Sequence, residues 1–183
     1  MLYLLTGGRQ SGKTTWLKGL MTAARERGLR LDGLVTPAVF EDDRKVAIDA
    51  LLLPDGITLR LADWQKPVFT AGADAAAGEH RSATAMPWKF HAATVDAVNT
   101  HFAAYTPDAP APGFLLVDEL GWMEFNDNGG YVEAMRVLDQ HAFAGDALAV
   151  IRPELLQAAV ARWTPIMGGS GIRVIEPDAP LPF

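Results

Sequence analysis

The chain has 183 residues, enough for one α/β domain with a sizeable core, and 49% of them are hydrophobic. Its 16 Lys and Arg against 22 Asp and Glu give a formal net charge of −6, which disfavours nucleic acid as a general partner. Without cysteine it forms no disulfide or thiolate metal site, which fits a cytoplasmic location. No apolar run approaches the roughly 18 residues of a membrane span, and Met1 is not followed by the basic region of a signal peptide.

The first 28 residues contain the most specific pattern of the chain. Residues 7–14, Gly-Gly-Arg-Gln-Ser-Gly-Lys-Thr, fit the phosphate-binding (Walker A) pattern G-x-x-x-x-G-K-[ST]. Residues 1–5 before them form an apolar run of strand length. After them the spacing i, i+3, i+4, i+7 indicates an amphipathic helix, carried by Leu17, Leu20, Met21 and Ala24. Gly28 is predicted to cap that helix. Strand, glycine loop and helix are the context that the pattern requires, so we predict a nucleotide polyphosphate site.

Each fixed residue of this loop has a physical role. The glycines at 7, 8 and 12 allow backbone conformations closed to other residues, so that the amides of residues 8–14 converge on an anion. Lys13 is predicted to bridge the β- and γ-phosphates, and the Thr14 hydroxyl to ligate Mg²⁺. The whole set predicted to contact nucleotide here is Gly7, Gly8, Arg9, Gln10, Ser11, Gly12, Lys13, Thr14 and Thr15.

The next segment reads as strands. Leu34, Val35 and Phe40 indicate a second strand with a bend near Pro37. Residues 46–53 and 57–61 are strand-like and flank a Pro-Asp-Gly turn signal, which predicts an antiparallel hairpin added to the core. Residues 66–86 show no apolar period, and we interpret them either as a mobile lid over the nucleotide or as an ordinary surface excursion.

The second half of the chain alternates helices and strands. Helical spacing is carried by Val95, Val98, Phe102 and Tyr105, by Val132, Met135 and Leu138, and by Leu155, Leu156, Ala159, Val160 and Trp163, with Pro153 opening the last helix. Apolar strands are predicted at residues 114–117, 147–151 and 172–175, and a stiff proline-rich connector at 106–113. This alternation predicts one α/β domain over residues 1–183, with a mainly parallel sheet covered by helices on both faces. The nucleotide should then lie at the carboxyl ends of the strands.

An apolar strand that ends in two carboxylates, the Walker B pattern, supplies the second half of the predicted site. Residues 114–119 read Phe-Leu-Leu-Val-Asp-Glu. In phosphate-loop proteins the terminal Asp of such a strand holds Mg²⁺, a role that we give to Asp118. Glu119 is then placed to orient or deprotonate an attacking water. The alternative is a pair of solvated carboxylates at a strand end.

Four other residues allow two interpretations each. Arg152 should emerge at the same sheet edge and either stabilise charge on the γ-phosphate, as a catalytic arginine, or form a salt bridge there. Glu124 either pairs with a basic side chain or supports Glu119, and a structural role is the more favoured. Trp88 and Trp122 are interpreted as packing residues, with base stacking as the alternative.

These motifs, in this order, resemble the family of small P-loop nucleoside triphosphatases that includes the thermophile nucleotide phosphatases and the cancer-related nucleoside triphosphatase. The resemblance covers nearly the whole chain. The stretches that carry it are residues 7–15, residues 33–37 (Gly-Leu-Val-Thr-Pro), residues 117–124 (Val-Asp-Glu-Leu-Gly-Trp-Met-Glu) and Ile151-Arg152.

The resemblance implies a RecA-like α/β fold and hydrolysis of ATP, GTP and other nucleoside triphosphates with little base preference. It also implies a second nucleotide-contacting set, which is Asp118, Glu119, Leu120, Gly121, Trp122, Met123, Glu124 and Phe125. Two departures bear on base recognition and partner binding. The hairpin has Arg-Lys-Val-Ala-Ile at residues 44–48 where the family usually carries Lys-Arg-x-Gly-Phe, and Trp122 stands where the family often has Pro.

The sequence is therefore compatible with three functions. The first is a Mg²⁺-dependent nucleoside triphosphatase that hydrolyses ATP- or GTP-type nucleotides. The second is a small-molecule or nucleotide kinase, in which Glu119 would activate an acceptor hydroxyl. The third is a nucleotide-dependent switch or accessory protein with little turnover and a protein partner that the sequence does not identify.

Overall fold

The structure is a computed structural model that describes residues 1–65, 87–107, 113–126 and 129–183. The described strands are β1 (Leu2–Leu5), β2 (Arg30–Val35), β3 (Ala38–Glu41), β4 (Arg44–Leu53), β5 (Ile57–Trp64), β6 (Trp88–Phe90), β7 (Gly113–Leu120), β8 (Asp146–Ile151) and β9 (Ile172–Ile175). The described α-helices are α1 (Lys13–Glu26), α2 (Ala92–Ala103), α3 (Trp122–Asn126), α4 (Val132–Asp139) and α5 (Leu156–Met167). The predicted lid, residues 66–86, and most of the predicted proline-rich connector lie outside the described residues.

All these strands join one nine-stranded sheet in the order β6-β5-β4-β2-β7-β8-β1-β9, with β3 paired to β4. The five strands β2, β7, β8, β1 and β9 pair in parallel, and β3, β4, β5 and β6 pair antiparallel. The prediction of an α/β fold with a mostly parallel core and an added hairpin is therefore confirmed. One strand, β8, lies between β1 and β7, so the phosphate loop and the acidic strand end are next-but-one neighbours.

Helices cover both faces of this sheet because its central strands are apolar on both sides. In β1, Leu2 and Leu4 pack into the cluster formed with α2, α4 and α5, whereas Tyr3 and Leu5 pack into the cluster formed with α1. The predicted stripe of α1 is buried, and Trp16 joins it. Gly28, at φ +68, donates its N–H to the carbonyl of Arg25 in the terminal turn, as expected of a glycine cap.

Several element boundaries differ from prediction, three of them at residues that the sequence analysis named. Phe40 lies in β3, not in the strand of Leu34 and Val35, because β2 ends at Val35 and β3 begins at Ala38, just after Pro37, whose carbonyl accepts a hydrogen bond from the Asp49 N–H. The helix predicted to reach Tyr105 ends at Ala103. Pro153 begins a 3-10 turn that precedes α5, rather than α5 itself.

Candidate functional site

The carboxyl ends of the five parallel strands meet at one edge of the sheet, as their pairing requires. The groups that lie there, strand by strand, are the phosphate loop after β1, Thr36 after β2, Asp118 and Glu119 near the end of β7, Arg152 after β8 and Glu176 after β9. The sheet thus brings together three groups that the sequence analysis singled out separately: the loop, the acidic pair and the arginine.

The phosphate loop presents free backbone donors. α1 begins at Lys13 behind Gly12, which has φ +95 and offers no side-chain cap. The first turn of a helix has no intrahelical acceptors for its N–H groups. In the described loop before it, Ser11 alone donates its N–H to a backbone carbonyl, that of Gly8 at 3.3 Å. Free amides at the positive end of a helix macrodipole form a site for an anion.

Lys13 is folded back onto this loop. Its Nζ donates to the carbonyl oxygens of Gly7 and, at 2.8 Å, of Gly8. The ammonium is therefore held against the backbone of the loop, and its positive charge adds to that of the free amides. Arg9, Thr14 and Thr15 are exposed at the same place and available to a ligand.

Asp118 is a buried carboxylate held by the neighbouring strand. It is 6% exposed, and its Oδ2 accepts two hydrogen bonds from Thr36, from the backbone N–H at 2.9 Å and from the hydroxyl at 2.8 Å. Burial raises the pKa of this carboxyl to about 6, and the negative charge of Glu119 acts in the same direction, whereas the Thr36 donors lower it. A cation beside it would favour the ionised form.

Glu119 is turned out of the sheet by a bulge in β7. Val117 pairs with Ala149 and Leu120 with Ile151, so two residues of β7 oppose one of β8. Glu119 is the extra residue, with φ +60 and an exposed side chain, and after it Leu120 packs on the same face as Val117. Bulges of this kind re-aim side chains beside active sites. The consequence is a solvent-facing carboxylate next to a buried one.

Glu124 is a buried carboxylate that hydrogen-bonds to the backbone at two positions after β7. It is 6% exposed, and its two carboxylate oxygens accept hydrogen bonds from the backbone N–H groups of Gly121 at 2.8 Å and Tyr131 at 3.0 Å. Glu124 thus has the structural role that was favoured, although its partners are amides rather than a basic side chain or Glu119. Burial raises the pKa of the adjacent Tyr131 phenol, and the negative charges of Glu124, Glu119 and Asp118 add to that effect.

The remaining candidate residues, including Trp88 from outside the second nucleotide-contacting set, lie either in the core or at the surface. Leu120 is fully buried, and Phe125 stacks edge-on against Trp163 with ring centroids 5.8 Å apart. Trp122 is 47% exposed, so it lies at the surface and not in the core. Trp88 packs against the core at the far edge of the sheet, in β6, with Lys45 over its ring.

Arg152 is exposed and lies beside Gly121. A Cβ placed on Gly121 would be 3.9 Å from the Arg152 Nε and 3.7 Å from the Glu124 Oε2. No described carboxylate forms an ion pair with this guanidinium. The salt bridge that was one interpretation of Arg152 is therefore absent from the described residues.

Two of the predicted site residues carry oxygen donors of the kind that Mg²⁺ takes. Within the described ranges no group of three or more His, Cys, Asp or Glu side chains could hold an ion. Mg²⁺ does not need one, because it keeps several waters and binds one or two carboxylates together with substrate phosphates. The Thr14 hydroxyl and the Asp118 carboxylate are hard oxygen donors and fit that pattern. As for membranes, the helices that the structure describes are all too short or too polar to span one.

The fold and the site define a class of protein. A glycine loop between the first strand and the first helix, with an acidic strand end two strands away, is the arrangement of P-loop NTPases. The chain belongs to the NTPase family, whose model matches residues 2–164.

One solved structure with a similar fold is the solution structure of a human cancer-related nucleoside triphosphatase. The match covers 96% of this chain and 87% of that one, with a TM-score of 0.59 and 17% sequence identity. At that identity the likeness supports the fold alone. No curated protein sequence matches the chain significantly.

Sequence reasoning missed two threonines at this edge. Thr36 was noted only as part of a motif. It follows β2, which pairs in parallel with β7, so it should lie at the carboxyl edge of the sheet, where ligands bind. Thr6, the residue before the loop, is buried, and its hydroxyl has no hydrogen-bond partner within the described residues. No sequence pattern signals an unpartnered hydroxyl, because it depends on packing.

Proposed function

We propose that the protein is a Mg²⁺-dependent nucleoside triphosphatase that converts ATP- or GTP-type nucleotides to the diphosphate and phosphate. The observation that carries the proposal is the pairing of free loop amides and Lys13 with an acidic strand end at the same sheet edge. Family membership supports a nucleoside triphosphate as the substrate.

The phosphates bind at the amides of residues 8–14, and Lys13 moves from the Gly7 and Gly8 carbonyls to the β- and γ-phosphates. Thr14 and Asp118 would hold Mg²⁺, which supplies charge neutralisation on the phosphate oxygens when bound. Thr36 keeps the Asp118 carboxylate oriented through two hydrogen bonds. The site therefore binds substrate by positioning and charge complementarity, which is most of what phosphoryl transfer requires.

Hydrolysis then needs an oriented water, and Glu119 is the exposed carboxylate that can accept its hydrogen bond. The water oxygen forms a bond to the γ-phosphorus as a proton of that water passes to the Glu119 carboxylate, the bond from the phosphorus to the β–γ bridging oxygen breaks, and the diphosphate leaves. Arg152, exposed at the same edge and without an ion-pair partner in the described ranges, is positioned to stabilise the charge that develops on the γ-phosphoryl oxygens.

The test is phosphate release with Mg²⁺ and ATP, GTP, CTP or UTP, for the wild type and Glu119→Gln. We expect the variant to keep nucleotide binding and to lose about 100-fold or more in kcat. Glu26→Gln is the matched control, because Glu26 is exposed at the opposite end of α1. Full turnover in Glu119→Gln would remove this residue from the mechanism.

The same assay separates the other functions. Nucleotide turnover that appears only with an added nucleoside or metabolite acceptor, together with a phosphorylated product, would indicate a kinase. Tight binding without turnover, and a protein captured only with a non-hydrolysable analogue, would indicate a switch. If calorimetry detected no heat with any Mg²⁺-loaded nucleotide while the protein was folded, the nucleotide site itself would be rejected.

A further inference from the structure

Tyr131 is a buried tyrosine that the chemistry above does not use. It is 5% exposed, immediately precedes α4, and packs in the core cluster that also contains Val117 and Leu120, the residues that flank the acidic pair of β7. A helix that connects two parallel strands begins at their carboxyl edge, and α4 lies in the connection from β7 to β8. The topology therefore brings Tyr131 to the edge of the sheet where Asp118 and Glu119 lie.

The backbone on both sides of Tyr131 is held by side-chain hydrogen bonds. The Tyr131 N–H donates to the Glu124 Oε1 at 3.0 Å. From α2, the Asn99 side chain donates to the Gly130 carbonyl at 2.9 Å and accepts the Glu133 N–H at 3.1 Å. A tyrosine side chain has only two torsions, and this ring is packed in the core. Its hydroxyl is therefore presented at a defined position.

The Tyr131 hydroxyl is an unused hydrogen-bond donor. In the part of the chain that the structure describes, it has no hydrogen-bond partner. It is not sealed in the core, because the one fully enclosed side-chain polar atom without a partner among the described residues is the Thr6 Oγ1. Burial raises the pKa of the phenol, so the hydroxyl stays protonated at neutral pH. It can therefore donate to an acceptor or to a water that reaches it.

Three carboxylates surround the end of the strand that this hydroxyl faces. The negative charges of Glu124, Glu119 and Asp118 add to the effect of burial on the phenol, which shows that its oxygen is directed toward them. Two of the three already have donors. Each Glu124 oxygen accepts a backbone N–H, and the Asp118 Oδ2 accepts both Thr36 donors, which leaves Oδ1 for Mg²⁺.

Glu119 is the carboxylate of this group that lacks a partner. Its side chain is exposed and forms no hydrogen bond or ion pair with the residues that the structure describes. An unpaired donor and an unpaired acceptor thus lie at the same strand end. The bulge that turns Glu119 outward leaves its carboxylate free to rotate, and a carboxylate that orients water has to be held in one position.

We propose that Tyr131 is a positioning residue for hydrolysis, whose hydroxyl donates to the Glu119 carboxylate, directly or through one water, and holds it toward the attacking water. Tyr131 keeps its own proton while Glu119 receives that of the water. The inference deepens the proposed function and rests on it for the role of Glu119. It adds a residue that lies outside both nucleotide-contacting sets predicted from the sequence.

The first test is Tyr131→Phe, which removes the hydroxyl and keeps the ring. We expect kcat to fall about tenfold or more, because a hydrogen bond to a charged group is lost. The affinity for Mg²⁺-nucleotide and the free energy of unfolding should stay close to the wild-type values, since the hydroxyl has no described protein partner to lose. Unchanged kcat in this variant would overturn the inference.

Tyr3→Phe is the matched control. Tyr3 is also 5% exposed, but it lies in β1, and its phenol interacts with the charge of Asp146 at the start of β8. The start of β8 is at the amino edge of the sheet, away from the candidate site. The control should therefore keep the wild-type kcat, and a loss equal to that of Tyr131→Phe would assign the effect to buried phenols in general.

A double-mutant cycle shows whether Tyr131 acts through Glu119. In a Glu119→Ala background the Tyr131→Phe substitution should not lower kcat further, because the carboxylate that it positions is already absent. A further loss of about tenfold in that background would mean that Tyr131 acts on another group, and would overturn the inference.

A crystal structure with Mg²⁺ and a non-hydrolysable ATP analogue tests the contact without turnover. The Tyr131 Oη should lie within about 3.2 Å of a Glu119 carboxylate oxygen, or of one water bound to it. The contact in a protein that hydrolyses no nucleotide would support the positioning and overturn the triphosphatase. Hydrolysis without the contact would overturn the inference alone, and failure of the folded protein to bind any nucleotide would overturn both.

Discussion

Gly130 lies against the carboxylate of Glu124 so closely that no side chain fits between them. A Cβ at residue 130 would overlap the Glu124 Oε1, the same oxygen that accepts the N–H of Tyr131. Gly130 has φ +66, a conformation that also favours glycine. The buried carboxylate of Glu124 therefore requires a glycine at residue 130, and its hydrogen bonds hold the backbone at Gly121, just before α3, and at Tyr131, just before α4.

We predict that Gly130→Ala lowers the free energy of unfolding by at least about 2 kcal/mol, since the strain of a left-handed alanine adds to the overlap. Turnover should fall as well, because Glu124 must move and release Gly121. Gly129→Ala is the control: a Cβ there meets nothing within 4 Å, so its effect should be small. Urea denaturation of both variants measures the difference. Equal stability in the two would mean that Glu124 moves away without cost.

A second glycine controls how β2 meets β7. Gly33 has φ +103, and a Cβ there would overlap the carbonyl oxygen of Leu116, its partner in the parallel register. Gly33→Ala should therefore displace β2 and, with it, the donors that Thr36 directs at Asp118. We expect a loss of stability of about 2 kcal/mol or more together with weaker binding of Mg²⁺-nucleotide.

Gly19→Ala is the matched substitution in a helix. It lies in α1 with open space where its Cβ would be, so the change should stabilise the protein by about 0.5–1 kcal/mol. Thermal denaturation ranks the two alanine variants. If Gly33→Ala proved as stable as the wild type, the close approach of β2 and β7 would not matter for the site.

Much of this fold was predictable because its signals are local. The phosphate loop, the α1 stripe and the hairpin turn each follow from residues adjacent in sequence. The strand β6 was missed, since it has three residues and follows a stretch without apolar period. Phe40 was assigned to the wrong strand because apolar spacing continues across Pro37, and only long-range pairing decides which strand it joins.

The site was predictable in outline but not in its geometry. Asp118 and Glu119 are adjacent and chemically alike, yet one is buried and the other exposed. The cause is a bulge, which depends on how many residues β8 offers as partners. Pairing and packing of this kind have no signature in a single chain.

Thr36 allows a test of how Asp118 is oriented. We predict that Thr36→Val, which removes the hydroxyl donor and keeps the shape, lowers the free energy of unfolding by about 1–3 kcal/mol. Nucleotide hydrolysis should fall with it, because the buried carboxylate loses half of the contacts to its Oδ2. Thr36→Ser retains the hydroxyl and should recover most of both properties. Phosphate release and urea denaturation check the pair, and a serine variant as impaired as valine would contradict this role.

Asp139 joins α4 to α5 away from the site and gives the protein a pH-dependent contact. Its carboxylate accepts two hydrogen bonds from Arg162, at 2.8 and 2.6 Å, and one from the Trp163 indole at 2.9 Å. Partial burial raises the pKa of the Asp139 carboxyl, but these donors outweigh it and hold the pKa below the ordinary 3.8. The ionised carboxylate thus stabilises the native state fully above the unfolded-state pKa near 3.8, and the contribution is lost as the pH falls through the native value.

Two substitutions of Asp139 separate its charge from its shape. Asp139→Asn keeps an oxygen for the Trp163 indole and loses the charge, so it should cost about 1 kcal/mol at pH 7 and progressively less below pH of about 4. Asp139→Ala also leaves the indole N–H of the fully buried Trp163 without this acceptor, which should add about 1–3 kcal/mol at every pH. Urea denaturation at several pH values tests both. A cost for Asp139→Asn that stayed constant from neutral to acid pH would show that the ion pair does not stabilise the fold.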